Sequence, residues 1–108
     1  MKFKQKLFDG SSSLQGETAP FTFFEIAAVF GLPNKDGDDY KVTSDWELEF
    51  EDGTIATIYD YKATEAYDGS YPSVENFRHT KYEWHIGGRS KRAAELVNEV
   101  LSKQPVSA

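Results

Sequence analysis

The sequence predicts an α+β fold: an antiparallel sheet of three to four strands with two helices packed on one face. Three observations carry this. Residues 40–50 alternate apolar and polar with period 2 and run into Asp52-Gly53, a favoured hairpin turn. A second alternating run, "KYEWHI", follows at 81–86. Two other segments, near 22–31 and 90–103, carry helix signals instead. With 108 residues, the whole chain, 1–108, makes a single domain.

At the start, "MKFKQKLF" places Phe3 and Leu7 on one side with lysines between them. It reads as a short strand, with a helical turn as the rival. "DGSSSLQGETAP" is loop by composition. Thr22 and Glu25 then form a capping box, and Phe21 and Ile26 stand at the positions of a hydrophobic staple. Gly31 can close that helix and Pro33 stops it, which predicts a helix over Phe23–Phe30. So short a helix needs packing to be stable, so it belongs on the sheet.

"NKDGDD" is a polar loop. A calcium loop needs glycine sixth, whereas Gly37 is fourth counting from Asn34, so no designed calcium site is expected. In the hairpin that follows, Tyr40, Val42, Trp46, Leu48 and Phe50 share one face. Lys41, Thr43, Asp45, Glu47, Glu49 and Glu51 share the other. A two-residue turn pairs Phe50 with Ile55 and Trp46 with Tyr59, leaving Ile58 beside Glu47. A three-residue loop pairs Trp46 with Ile58 instead. The connection 63–80 is long for a small domain, as binding loops often are. "KYEWHI" puts Tyr82, Trp84 and Ile86 on one face and Lys81, Glu83 and His85 on the other. The last helix carries an apolar stripe of Ala93, Leu96, Val97, Val100 and Leu101. "QPVSA" is a frayed tail.

Composition narrows the function. The chain has no cysteine, which excludes a disulfide framework, a thiol nucleophile and a cysteine zinc site. Two histidines are too few for a histidine-rich metal site, and neither metal nor cofactor is expected. No apolar run approaches the roughly 20 residues that span a bilayer, and the N-terminus lacks the apolar core of a signal peptide. The expectation is a soluble, cytoplasmic protein with no membrane partner.

Net charge is -6, unevenly spread. Residues 17–75 hold fourteen Asp or Glu and three Lys, whereas 78–92 hold five Lys or Arg and one Glu. Such a chain is a poor nucleic-acid binder and a plausible partner for a basic protein surface. Asp45, Glu47, Glu49 and Glu51 stand at alternate positions of one strand, roughly 7 Å apart, with Asp60 expected to extend the row. They are either a solvated face or a set of contacts for a basic groove. Tyr67, Tyr71 and Phe77 in the long connection are either interface anchors or core.

Gly87, Gly88, Arg89, Lys91 and Arg92 open the last helix, and a helix start favours anions. The spacing matches neither a Walker lysine pattern nor a dinucleotide fingerprint. The cations either bind a nucleotide or other anion there, or pair with acids of the chain, Glu95 among them. The glycines also have a plainer use, turning strand into helix. His85 beside carboxylates could act as a general base, but no nucleophile or ligand motif accompanies it, so the chain is read as non-catalytic.

Small size, acidity, zero cysteine, a compact α/β pattern and no catalytic motif together resemble small phage-encoded accessory proteins of the anti-CRISPR and anti-defence inhibitor type. That resemblance implies a protein that binds and blocks a host nucleic-acid-handling protein, in some cases by mimicking DNA. The host partner would present a basic surface, and Asp45, Glu47, Glu49, Glu51, Tyr67 and Tyr71 would be the contacts.

Overall fold

The structure is a computed structural model that describes residues 2–38 and 40–103. Asp39 and the tail expected to fray, 104–108, lie outside the described residues. Among those described, the order is β1 (Phe3–Gln5), β2 (Ser13–Phe21), α1 (Phe23–Phe30), β3 (Lys35–Asp36), β4 (Ser44–Phe50), β5 (Ile55–Tyr59), α2 (Val74–Arg78), β6 (Tyr82–Gly88) and α3 (Arg92–Ser102). The strands form one antiparallel sheet in the order β1-β4-β5-β6-β2, and β3 shares the outer side of β4 with β1. The α+β class holds; the sheet is larger than expected and a third helix is present.

α1 forms as its cap predicts. Thr22 Oγ1 accepts the Glu25 N–H at 3.1 Å, and Glu25 Oε1 accepts the Thr22 N–H at 2.9 Å. Gly31, at φ +86°, donates its N–H to the Ala27 carbonyl and ends the helix. Phe23, Ile26 and Phe30 point into the core.

The hairpin takes the three-residue loop. Phe50 N–H donates to the Thr54 carbonyl at 2.8 Å and Gly53, at φ +88°, donates to the Phe50 carbonyl at 2.9 Å. A left-handed glycine at the end of a three-residue loop is the common way to close such a turn. Trp46 therefore faces Ile58, and the two-residue register is corrected. The reason is burial. The observed register puts Ala56 and Ile58 in the core, where the other would leave Ile58 among carboxylates.

β4 starts only at Ser44, so Tyr40 and Val42 do not extend its apolar face, and Tyr40 is half exposed. The Asp38 carboxylate accepts the N–H groups of Tyr40, Lys41 and Val42 at 2.9, 2.7 and 2.9 Å, satisfying them without a ladder. A Cβ on Gly37 would lie 2.0 Å from the Val42 carbonyl oxygen, so only glycine lets the loop fold this tightly.

β2 occupies a segment expected to be loop. It is an edge strand, paired with β6 through two register shifts, which is where Gly16 and Pro20 are tolerated. Thr18 turns inward there, and its hydroxyl accepts the Trp84 N–H at 3.0 Å. Leu7, expected beside Phe3, is exposed, because β1 ends at Gln5.

All three helices send their buried residues into one core on a single face of the sheet. Trp46, Leu48, Phe50, Ile58, Trp84 and Ile86 form its sheet side. The α3 stripe packs as expected, with Ala93, Leu96, Val97 and Leu101 buried. Phe77 of α2 belongs to this core, set edge-on to Tyr82 and Trp84, which settles it as packing rather than an anchor.

Candidate functional site

The face of the sheet opposite the helices carries the groups of chemical interest. Register aligns Lys35, Asp45, Tyr59, His85 and Glu17 in one line across five strands. Glu47, Thr57 and Gly87 form the next line.

The acidic row is solvated only in part. Glu47, expected to be exposed, is buried, with Lys35 Nζ at 3.5 Å from its carboxylate. The cause is Asn34, whose side-chain amide stands in for a strand residue. It accepts the Glu47 N–H at 2.7 Å and donates to the Glu47 carbonyl at 2.9 Å, drawing β3 over the row. Glu49 lies 3.1 Å from Lys6 and 4.0 Å from Lys4, cations that β1 brings alongside β4. Glu51, at the hairpin, is exposed. Asp60 does not extend the row, because it is fully buried and bound to Thr43 and Ser44.

Asp45 is half-buried and accepts the Thr57 hydroxyl at 2.9 Å. Burial pushes its carboxyl up to about 6 from the ordinary 3.8. A carboxyl that holds its proton more tightly folded than unfolded costs stability as pH rises from about 4 through 6, and the cost is complete above 6. The full shift corresponds to about 3 kcal/mol, which partial exposure reduces to about 1–2 kcal/mol. Asp45→Asn keeps an acceptor for Thr57 and removes the charge. It should stabilise the chain by that amount at pH 7 and by nothing near pH 3.5. Urea midpoints across this range check it, and a pH-independent difference would count against burial as the cause.

The segment 87–92 is engaged within the chain. Gly87 and Gly88 lie inside β6, paired on both sides, and the helix starts four residues after Gly88. They therefore serve close approach rather than the turn into the helix: a Cβ on Gly88 would lie 2.6 Å from that of Ala93, and one on Gly87 2.9 Å from Thr57 Cγ2. Arg89 donates to the Asp9 and Ser11 carbonyls and covers the Phe8 ring, and Arg92 Nε lies 3.3 Å from Asp52. Lys91 takes the helix N-cap position without a side-chain cap bond. The acid that Arg92 meets is the hairpin's Asp52 rather than Glu95.

The other concentration of groups is a band of tyrosines. Tyr40 and Tyr67 have ring centroids 5.2 Å apart, and Tyr67 and Tyr71 are stacked at 6.3 Å. Lys62 Nζ bridges to Tyr61, standing 5.1 Å from that ring and 5.2 Å from Tyr67. Tyr61, Tyr59 and Tyr82 then surround His85, with Tyr59 stacked on the imidazole at 5.5 Å. The Tyr82 hydroxyl lies 3.0 Å from His85 Nδ1 and accepts the Tyr61 N–H at 3.1 Å. His85 is thus held by phenols, and among the described residues no carboxylate pairs with it.

All six tyrosines of the chain lie in this band, of which Tyr82 also packs against the core, while both tryptophans and most phenylalanines fill or border the core. Tyr40, Tyr61 and Tyr71 are 50%, 39% and 42% exposed. Sequence reasoning named Tyr67 and Tyr71 but missed Tyr40, Tyr61 and Lys62. The signal available was the clustering of every tyrosine at strand ends and in one loop.

Lys62 sits at φ +54°, a left-handed conformation rare outside glycine. Its neighbours Tyr61 and Tyr67 push its ammonium above the ordinary lysine value. Left-handed backbone costs a non-glycine residue stability that glycine recovers, and the two exposed cation–ring contacts offset it on a similar, small scale. Lys62→Gly should therefore leave the melting temperature nearly level, although it deletes both ring contacts. A clear drop in a thermal melt would show the lysine to be a structural strut.

Comparison with known proteins finds nothing similar: no family model matches, and no curated protein or solved structure does. Among the described residues no group of acids and histidines is arranged to hold a metal ion, and no helix is long and apolar enough to cross a membrane.

Proposed function

We propose that this chain is a binding protein that docks on a partner protein through its tyrosine band and acts as a blocking inhibitor of the kind its profile resembles. The observation that supports this is the segregation of aromatics. Tyrosine has no packing advantage over phenylalanine when buried, yet five of the six tyrosines stand in one band outside the core, three of them exposed, and the sixth, Tyr82, joins that band to the core. Exposed rings with a hydroxyl are the anchors that dominate protein interfaces. Of the row first read as the contact, Asp45 and Glu47 are drawn inward and Glu49 is met by Lys4 and Lys6, with Glu51 alone left exposed, so the tyrosines take its place in this proposal.

The test starts with a partner captured from a bacterial lysate, identified by mass spectrometry and purified. Tyr40→Ser and Tyr67→Ser should each weaken its binding about 30-fold, the equivalent of an anchor of about 2 kcal/mol. Neutralising Glu49 and Glu51 to Gln should change affinity less than threefold, roughly the scale of a rim charge. The opposite ranking, with melting temperatures unchanged, would return the contact to the acidic strand.

A further inference from the structure

Beside the tyrosine band lies a groove of about 320 Å³. Tyr61, Tyr71, Pro72 and Tyr82 line it, Phe77 is its buried member, and Thr80 with two lysines, Lys62 and Lys81, makes up the polar part. Among the described residues no Asp or Glu lines it, in a chain whose net charge is -6. Lys81 is held by Glu25 at 2.5 Å. Lys62 has no carboxylate partner among the described residues and rests on tyrosine rings alone.

We infer that this groove takes an extended acidic segment of the partner protein, with an apolar side chain against Tyr71, Phe77 and Tyr82 and a carboxylate at Lys62. The inference deepens the tyrosine-band proposal and rests on it. Two independent observations carry it. The first is charge: an aromatic trough whose charged lining is entirely cationic complements an apolar residue flanked by an acid. The second is the backbone. Glycine would relax the φ of +54° at position 62, yet a lysine stands there, and strain retained at a surface charge points to use of that charge. The volume, at the lower end for ligand pockets, suits one or two side chains of a longer segment rather than a whole small molecule. Its position next to the band lets a single partner engage both.

The experiment pans a phage-displayed library of random peptides, about twelve residues long, on the intact chain. Enriched peptides are then synthesised with a fluorophore and titrated by anisotropy. The expected result is a family carrying Asp or Glu next to a large apolar residue. Its affinity should fall at least about tenfold for Lys62→Gly and for Tyr71→Ala, and be unchanged for Lys103→Ala, which lies outside the groove. Thermal melts confirm that each variant folds. The inference is overturned by no enriched family, by a family without acids, or by acidic peptides indifferent to Lys62→Gly. It is also overturned in favour of a second copy of this chain if sedimentation shows a dimer that Tyr71→Ala dissolves. Tyr40 and Tyr67 belong to the band but not to the groove lining. Partner binding lost through Tyr40→Ser with no effect of Lys62→Gly would therefore remove the groove and keep the band, and loss of neither would remove both.

Discussion

Replacing Asp60 by Ala is expected to cost about 3–5 kcal/mol of folding stability. The carboxylate is fully buried at the end of β5. It accepts the Thr43 N–H at 3.0 Å, the Thr43 hydroxyl at 2.6 Å and the Ser44 N–H at 2.7 Å. Hydrogen bonds to a charged group contribute about 1.5–3 kcal/mol each, and a buried donor left alone costs about 1–3 kcal/mol. Three such bonds do not add fully, because Thr43 is only partly buried and its groups can turn to water, which gives the stated range. The bonds also fasten the 40–43 loop to β5, next to the bond from Lys62 N–H to the Lys41 carbonyl at 2.7 Å. The same variant should therefore release Tyr40 from Tyr67 and loosen one end of the tyrosine band. Asp60→Asn, which keeps one carbonyl acceptor, should fall between wild type and Asp60→Ala. Urea midpoints measure all three, and a midpoint for Asp60→Ala within 1 kcal/mol or so of wild type would mean that water replaces the carboxylate without loss.

Asp60 also shows where sequence reading stops. The two-residue turn would place it on the acidic face opposite Asp45, whereas the observed register alternates it with Ala56 and Ile58 on the core side, where it meets Thr43 and Ser44. What was legible had short-range causes. The Thr22–Glu25 box and Gly31 define α1 within ten residues, and the alternation of 46–50 and 82–86 assigns Trp46 and Trp84 to one face whatever the topology. What was not legible depends on distant partners. β2 exists because β6 offers an edge, and its bulges accommodate glycine and proline that read as loop. Glu47 is buried because Asn34, thirteen residues earlier, imitates a strand. The hairpin register was undecided by turn chemistry, since Asp52-Gly53 serves both loops, and was decided by where Ile58 finds a core. In the candidate site, Tyr67 and Tyr71 could be named from their loop, but the band needs Tyr40 and Tyr61 brought beside them by the ends of other elements.

Trp46→Ala is the second large effect, about 3–5 kcal/mol, the range for deleting a large buried aromatic. Trp46 is fully buried at the centre of the sheet's core face. Its ring meets Trp84 edge-on with centroids 5.5 Å apart and tilts against Phe23 of α1 at the same distance. Its indole N–H donates to the Gly31 carbonyl at 2.8 Å, the group left over where α1 ends. One side chain therefore joins β4 to β6 and to both ends of α1, so the core has no element that can collapse into the space alone. Edge-on ring pairs contribute about 0.5–1.5 kcal/mol beyond area, which places this site toward the upper part of the range. Trp46→Phe separates the contributions. It keeps a ring against Trp84 but loses the bond to Gly31 and leaves a smaller void, and should cost roughly 1–3 kcal/mol. Fluorescence of the remaining Trp84 provides an independent readout, because water admitted to the Trp46→Ala cavity shifts its emission to the red. An unchanged denaturation midpoint together with unshifted emission would mean that α1 and the sheet do not depend on this contact.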